Sequence, residues 1–257
     1  MIEVDRVGRS FTVGRGRARR TVHAVRELSF TVGAGEFVGY LGPNGAGKST
    51  TIKMLTGILA PTSGRLEVAG LDPTHRRTAL ARRIGVVFGQ RTTLWWDLPL
   101  RDSFELVRHL YKVDRDDFRS RLAELAELLD LGGFLHTPVR QLSLGQRMRG
   151  DITAALLHDP SVLILDEPTI GLDVVSKAAM REFLRRLNAE RGTTVLLTTH
   201  DLGDIEKLCR RIMLIDRGRL GFDGTLDDLR ATAPGGDSLE DVVARLYTGE
   251  REPAPGG

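Results

Sequence analysis

The stretch Gly42-Pro43-Asn44-Gly45-Ala46-Gly47-Lys48-Ser49 matches the pattern G-x-x-x-x-G-K-[ST]. It follows a short apolar strand predicted over Phe37 to Leu41 and opens a helix predicted over Thr50 to Leu59. In this order, strand, loop and helix place backbone N–H groups around a phosphate at the positive end of the helix dipole. A glycine-rich turn that binds nothing would not require the Lys-Ser pair, so the sequence predicts a phosphate-binding loop in an α/β domain.

The polar residues of this loop have distinct predicted roles. Lys48 reaches the β- and γ-phosphates of a nucleoside triphosphate, and the Ser49 hydroxyl ligates Mg²⁺. Thr50 is placed to contact the α-phosphate. The loop therefore predicts a nucleotide and a magnesium ion as ligands.

A second motif is an apolar run, Val162 to Leu165, that ends in two acids. Asp166 is predicted to hold Mg²⁺ through water, and Glu167 to accept a proton from the attacking water or to orient it. A pair of acids at the end of a strand also arises by chance. Together with a phosphate-binding loop upstream, it predicts a hydrolytic site.

Apolar runs alternate with helical stripes along the chain. The runs Ile84 to Phe88, Val162 to Leu165 and Val195 to Thr198 are typical of strands buried on both faces of a parallel sheet. The predicted fold class is α/β, a P-loop NTPase core with a mainly parallel sheet. It carries an N-terminal antiparallel β subdomain over Ile2 to Val13 and Val22 to Val32, and an inserted α-helical subdomain over residues 91–155.

The expected domain limits are residues 1–230 for the P-loop NTPase domain, which includes the inserted helical subdomain, and 231–257 for a C-terminal helix and frayed tail. The net charge of +3 gives little reason to expect nucleic acid as a partner. No apolar run approaches the roughly 18 residues that cross a bilayer, and the N-terminus lacks the pattern of a secretory signal. We therefore expect the chain to stay in the cytosol.

The segment Leu142-Ser143-Leu144-Gly145-Gln146 separates this sequence from other nucleotide hydrolases such as GTPases, kinases and helicases. Ser143 and Gln146 form an S-x-x-Q capping box at the start of a helix, which is a sufficient structural reason for both residues. Capping does not require Gly145, which leaves the helix start bare for close approach of another molecule's phosphate. Both interpretations stand at this point.

With these motifs the chain resembles the ABC ATPase family, whose signature is usually Leu-Ser-Gly-Gly-Gln. The resemblance covers nearly the whole chain. Gln90 matches the Q-loop glutamine, Gly171-Leu172-Asp173 the D-loop, His200 the switch histidine and Phe11 the aromatic residue that stacks on adenine. Leu144 departs from the signature, as in exporters of the ABC-2 type, and Phe11 stands where tyrosine is usual but keeps the stacking face.

The resemblance implies ATP as the nucleotide and a head-to-tail dimer, formed with a second copy or a homologous ATPase subunit. Ser143 and Gly145, with Gln146 in the same motif, would contact the γ-phosphate held by the partner chain's Lys48, and Asp173 would pass between the sites. Glu167 would act as the base, His200 would hold the γ-phosphate, and Gln90 would complete the metal and water shell.

It also implies a separate polytopic membrane permease, so the chain would act at the cytoplasmic face of the cell membrane. Export of drug, lipid or polysaccharide cargo is favoured by the signature and by the segment Ser238 to Val242. The alternatives are a soluble ABC ATPase of translation or DNA repair, disfavoured by a single cassette without long insertions, and a regulatory switch without useful hydrolysis, disfavoured by Glu167 and His200. Trp95 and Trp96 either anchor the permease or pack within the helical subdomain.

Overall fold

Parallel strands form the centre of the molecule. The computed structural model describes residues 1–14, 19–89, 91–232 and 239–248. The strands, in chain order, are β1 Ile2–Val13, β2 Arg20–Val32, β3 Phe37–Leu41, β4 Ser63–Val68, β5 Ile84–Phe88, β6 Val162–Asp166, β7 Thr194–Thr198, β8 Arg211–Asp216 and β9 Arg219–Thr225. They form a six-stranded sheet in the order β5-β6-β7-β3-β8-β9 and a three-stranded sheet in the order β2-β1-β4.

Within the large sheet the pairs from β5 to β8 are parallel, and only β9 pairs antiparallel, with β8. The small sheet is antiparallel throughout. The predicted fold class is therefore confirmed: a mainly parallel sheet with an N-terminal antiparallel sheet. Three strands, β4, β8 and β9, go beyond the sequence-based prediction.

The helices, in chain order, are α1 Lys48–Leu55, α2 Arg77–Ala81, α3 Leu100–Tyr111, α4 Arg115–Leu128, α5 Leu144–Leu156, α6 Val174–Arg191, α7 Leu202–Leu208, α8 Leu226–Ala231 and α9 Leu239–Thr248. Helices α3, α4 and α5 lie between β5 and β6 in the chain, where the inserted helical subdomain was predicted. Helix α9 lies within the predicted C-terminal segment, while the domain limits themselves stay a prediction.

The first helix begins and ends earlier than the predicted Thr50 to Leu59. Its N-cap is Gly47, with φ of 112°, so Lys48 and Ser49 already belong to the helix. It ends at Leu55 because the Thr56 hydroxyl bonds back to the Ile52 carbonyl oxygen at 2.9 Å and Gly57 adopts a φ of 72°. The lysine and serine of the loop are thereby fixed on the first helical turn.

Strands β3, β5, β6, β7 and β8 of the large sheet are mostly buried, which explains their continuous apolar sequences, whereas the edge strand β9 is exposed or half-buried along its length. On β6, Leu163 and Leu165 pack into one hydrophobic cluster with the helices of the inserted subdomain. Val162 and Ile164 point into the other cluster, with the antiparallel sheet and α1. The sheet is thus held between two cores, and only its edges are available for a site.

Candidate functional site

One row of residues ends three neighbouring strands at the same level. Phe88 of β5 pairs with Asp166 of β6, and Asp166 pairs with Thr198 of β7. Because the three strands are parallel, the chain leaves each of them at one edge of the sheet. Glu167 follows this row directly, and His200 follows it by two residues, so distant parts of the chain meet there.

A cavity of about 900 Å³ opens at this edge. We call it the phosphate-loop cavity. It brings together the loop, both acids and the switch histidine; its lining comprises Ala24, Gly42, Pro43, Asn44, Gly45, Gly47, Lys48, Ser49, Thr50, Lys53, Ile58, Phe88, Gly89, Arg91, Asp166, Glu167, Ile170 and His200. Of the predicted loop residues, only Ala46 is absent from this lining, and it is buried.

Glycine is required at Gly47 of the loop. Its φ of 112° is left-handed, and a Cβ there would lie 2.6 Å from the carbonyl oxygen of Ala24. A side chain at this position would meet both backbone strain and a fixed backbone atom. The loop therefore rests directly on β2, which aligns the start of α1 with the cavity.

Lys48 is the cation of the phosphate-binding loop, and Lys53 and Arg91 also line the cavity. The Lys48 side chain is buried, and its ammonium group donates hydrogen bonds to the carbonyl oxygens of Gly42 and Pro43, the latter at 3.2 Å. Burial lowers the pKa of Lys48, while the nearby charges of Glu167 and Asp166 act in the opposite direction. The Lys48 ammonium group thus shares one cavity with two carboxylates, an arrangement suited to a phosphate chain and a metal ion.

The two acids and the histidine are oriented by direct contacts. Asp166 Oδ1 accepts a hydrogen bond from the Thr198 hydroxyl at 2.6 Å, and Glu167 Oε2 lies 2.5 Å from His200 Nδ1. Glu167 itself has a φ of 59°, unusual for a residue other than glycine. Its backbone N–H donates to the Thr198 carbonyl oxygen at 3.0 Å, which holds this turn in place.

Gly89 is a site residue that the sequence analysis missed. Its N–H donates to the Asp166 carbonyl oxygen at 2.7 Å, and a Cβ on it would lie 2.1 Å from the Glu167 carbonyl oxygen. Only glycine lets the chain leaving β5 pass so close to the acidic pair. The adjacent Gln90, predicted as a catalytic and metal-binding residue, lies outside the described residues.

A buried carboxylate joins the segments that follow β6 and β7. Asp204 of α7 is fully buried and accepts hydrogen bonds from the Thr169 hydroxyl at 2.5 Å and from Arg181 of α6 at 2.5 Å. Its Oδ2 also lies 3.4 Å from the Thr199 hydroxyl. Asp204 therefore links the chain two residues past Glu167 to the residue before His200.

A second buried carboxylate acts on the chain that leaves β5. Asp151 of α5 accepts hydrogen bonds from the Thr92 hydroxyl at 2.9 Å and from the Thr93 N–H at 2.9 Å. Burial raises the pKa of Asp151, and these hydrogen bonds oppose the shift. The chain just past residue 90 is thereby tied to the helix that begins with the signature segment.

The signature segment caps α5 as predicted. The Ser143 hydroxyl accepts from the Gln146 N–H at 3.2 Å, and the Gln146 side chain accepts from the Ser143 N–H at 2.9 Å. Within the described chain, Ser143, Gly145, Gln146 and Asp173 are not among the residues lining the phosphate-loop cavity. These four residues therefore lie outside the cavity that Lys48 lines.

The structure gives a reason for glycine at position 145 that the sequence alone did not reveal. A Cβ on Gly145 would lie 2.9 Å from the Ser176 hydroxyl, which donates to Asp173 Oδ2 at 2.7 Å. The Leu144 side chain lies 2.8 Å from where a Cβ on Gly171 would stand. The predicted signature and D-loop therefore pack on each other within one chain.

Phe11 lies on β1, where it pairs with Val22 of β2. Its ring is half-buried, the Arg9 guanidinium lies 4.7 Å from the ring centre, and Phe11 is not among the described residues lining the phosphate-loop cavity. Its predicted stacking on adenine stays a prediction.

Both tryptophans are partly exposed, with 41% of Trp95 and 50% of Trp96 accessible to solvent. The Arg147 guanidinium of α5 lies 5.6 Å from the Trp96 ring centre. The interpretation that both rings pack inside the helical subdomain is therefore wrong, and a solvent-facing aromatic surface lies beside the signature helix.

The described ranges hold neither a metal-ligand cluster nor a membrane-spanning helix. Among these residues no group of three or more His, Cys, Asp or Glu side chains is placed to hold a metal ion. No helix in the described part of the chain combines the length and the apolar character that crossing a membrane requires.

The sequence of this chain is similar to a known protein family and to several named proteins. A family model described as ABC transporter matches residues 25–170. The daunorubicin resistance ATP-binding protein of Streptomyces coeruleorubidus is 42% identical over 222 residues, covering 86% of this chain and 69% of that protein. The Nod factor export ATP-binding protein I of Paraburkholderia xenovorans (strain LB400) is 40% identical over 240 residues, covering 93% of this chain and 75% of that protein.

One solved structure shows the same kind of similarity. A dimeric ATP-binding cassette in a post-hydrolysis state, bound to ADP and phosphate, superposes with a TM-score of 0.78. It is 27% identical in sequence, and the match covers 88% of this chain and 99% of that one.

We predict that Asp204→Asn lowers the free energy of unfolding by about 2 kcal/mol, because it removes the buried charge that accepts hydrogen bonds from Thr169 and Arg181. The measurement is urea denaturation of the purified protein. Asp227→Asn is the matched control, since the Asp227 side chain is 94% exposed and should change stability by less than about 0.5 kcal/mol. Equal stability of both variants would contradict a supporting role for Asp204.

Proposed function

The chain belongs to the ABC transporter family of ATP-binding proteins and is an ATPase of that family, and on this premise we propose that it acts as a head-to-tail dimer driving a separate membrane permease. The observation that carries the proposal is that the motifs do not all meet in one cavity. Lys48, Asp166, Glu167 and His200 line one cavity, whereas the signature segment lies elsewhere. A second chain would bring its signature segment to this cavity.

Glu167 is the proposed general base. Its carboxylate lies within the phosphate-loop cavity and contacts His200 Nδ1 at 2.5 Å. In this position Glu167 would accept the proton of the attacking water, and His200 would hold the γ-phosphate and orient that water. The left-handed backbone conformation of Glu167 accompanies the placement of its side chain in the cavity.

Ser49 and Asp166 are proposed to hold Mg²⁺, Ser49 directly and Asp166 through water. Both line the cavity, and both offer the hard oxygen atoms that Mg²⁺ prefers, in the small number expected when phosphate oxygens and water complete the shell. When bound, the ion neutralises charge on the transferred phosphoryl group. The hydrogen bond from Thr198 orients Asp166 for this contact. Gln90 is retained as a further ligand from the family resemblance.

The proposed dimer interface includes the start of α6. Val174 and Val175 directly follow Asp173 and are 84% and 78% exposed. Two adjacent exposed valines beside the packed signature and D-loop form an apolar contact surface. Ser143, Gly145 and Gln146 of this face would meet the γ-phosphate held by the partner chain's Lys48, and Asp173 would pass between the sites.

The proposed permease contact is the surface around Trp95 and Trp96. These residues follow β5, and Thr92 and Thr93 just before them are hydrogen-bonded to Asp151 of the signature helix α5, so a contact there could be coupled to both sites. Docking on a permease would place the chain at the cytoplasmic face of the membrane. The names of the relatives, a drug-resistance protein and a Nod factor exporter, favour export.

We predict that Glu167→Gln binds ATP, stays dimeric and loses at least about 100-fold in turnover, because the amide cannot accept the proton. Phosphate release and nucleotide binding are measured on the same preparation. The control is Glu190→Gln on α6, whose carboxylate is exposed and should leave turnover unchanged. Undiminished ATPase activity of Glu167→Gln would refute the assignment of the base.

In the Glu167→Gln background, Val175→Asp should prevent ATP-dependent dimerisation. A carboxylate buried without a partner weakens association by several kcal/mol, or more than about 100-fold. Val22→Asp, at a 41%-exposed valine of β2, makes the same chemical change outside the proposed interface and should dimerise normally. Sedimentation with saturating ATP distinguishes the two, and a dimeric Val175→Asp protein would place the interface elsewhere.

We predict that Trp95→Ala and Trp96→Ala together weaken capture of the membrane subunit by about tenfold or more, since buried aromatic anchors dominate interfaces. The measurement is co-purification of a polytopic protein from detergent-solubilised membranes, with ATPase activity as a check of folding. Leu110→Ala, at a 69%-exposed leucine of α3, is the control. Unchanged capture by the double variant would eliminate the anchor.

A further inference from the structure

A second depression, of about 670 Å³, lies at the opposite end of β5 from the phosphate-loop cavity. We call it the basic depression. It is lined by His75, Arg76, Arg77, Thr78, Ala79, Arg82 and Arg83, and it shares no residue with the phosphate-loop cavity. These residues surround α2 and precede Ile84, where β5 begins, whereas the phosphate-loop cavity opens beyond Phe88 at the other end.

The basic depression concentrates positive charge without compensation. Its four arginines carry four charges, one more than the net charge of +3 of the whole chain, so the remaining chain sums to −1. No acid occurs between residues 73 and 83. Like charges held this close repel one another, and an anion seated among them would relieve that repulsion.

Three of these arginines lack a carboxylate partner among the described residues. The side chains of Arg76, Arg77 and Arg82 form no ion pair or hydrogen bond within the described ranges, and all three are exposed. By contrast, fifteen other arginines pair with a carboxylate. About half of the described arginines are thus paired with a carboxylate, and the basic depression gathers three unpaired ones within seven residues of the chain.

The nearby acid is already engaged. Asp72 contacts His75 Nδ1 at 3.0 Å and accepts from the Thr74 N–H at 2.7 Å, and these contacts, the His75 bond first, lower its pKa. Arg83 is held by a hydrogen bond from its guanidinium to the Ala69 carbonyl oxygen at 2.7 Å. The stem of Arg77 lies against the turn at Gly57, with Cγ 3.3 Å from a Cβ position there. Two of the cations are therefore positioned by the fold.

We propose that the basic depression binds phosphate groups, as a site separate from the nucleotide site. The guanidinium fork matches two phosphate oxygens at once, and its weak hydration reduces the cost of contact. A concave surface lined by one sign of charge strengthens the local potential. The phosphates can come from anionic lipid headgroups or from a soluble polyphosphate, and the experiment distinguishes these sources.

The test compares the wild-type protein with Arg76→Gln/Arg77→Gln/Arg82→Gln. The control, Arg20→Gln/Arg115→Gln/Arg210→Gln, removes the same charge from three exposed arginines that also have no partner among the described residues but lie apart from the depression. One arm measures sedimentation with vesicles of phosphatidylglycerol and phosphatidylcholine. The other measures binding of inorganic pyrophosphate by calorimetry with the nucleotide site saturated with ADP.

In whichever arm the wild-type protein binds, Arg76→Gln/Arg77→Gln/Arg82→Gln should bind more weakly, by about 100-fold to vesicles or by at least about tenfold to pyrophosphate. The control variant should lose far less affinity. A response to vesicles alone identifies lipid headgroups, and a response to pyrophosphate identifies a soluble ligand. Equal losses in both variants, or no wild-type binding in either arm, would overturn the proposal. ATPase activity should be the same in all three proteins, which separates this outcome from that of the proposed function.

Discussion

The alignment of Phe88, Asp166 and Thr198 in one row of the parallel sheet is the constraint on which the site depends. Parallel strands buried between two hydrophobic cores cannot slip without exposing apolar side chains, so their register is strongly fixed. The strand register therefore also fixes the positions of the residues that directly follow the row. Glu167 and His200 need only one and two residues beyond the strand ends to meet at 2.5 Å. The packing of the strands between the two cores thus positions Glu167 and His200.

Beyond the row, two buried carboxylates take over the positioning. Asp204 holds the segments after β6 and β7 together through Thr169 and Thr199, and Asp151 holds the chain after β5 against α5. Buried charges are stable only when they are paired or hydrogen-bonded, so both carboxylates require one defined geometry around them. The loops around the cavity therefore form a connected unit rather than independent segments.

The elements that were predicted from the sequence are those whose signal is local. Continuous apolar runs predicted β3, β5, β6 and β7, and the spacing of Ser143 and Gln146 predicted the cap of α5. Strand β9 alternates exposed and half-buried residues, so it lacks such a run. Gly89 could not be identified because the atom it must avoid, the Glu167 carbonyl oxygen, belongs to a distant segment. Asp204 and Thr169 were missed for the same reason: a carboxylate in a helical pattern is ordinarily solvated, and only the fold reveals its partners.

The departure at Leu144 has an explanation in the same kind of long-range contact. Where the family signature usually has glycine, the leucine side chain packs against Gly171, whose φ of 71° and missing side chain leave room for it. Gly145 approaches Ser176, which is bonded to Asp173. Because Ser143 and Asp173 belong to this packed unit, they have a fixed relation within one chain. In a head-to-tail dimer, movement of the signature segment at one nucleotide would therefore also move the D-loop of the same subunit. The two nucleotide sites would then be coupled through contacts within one subunit.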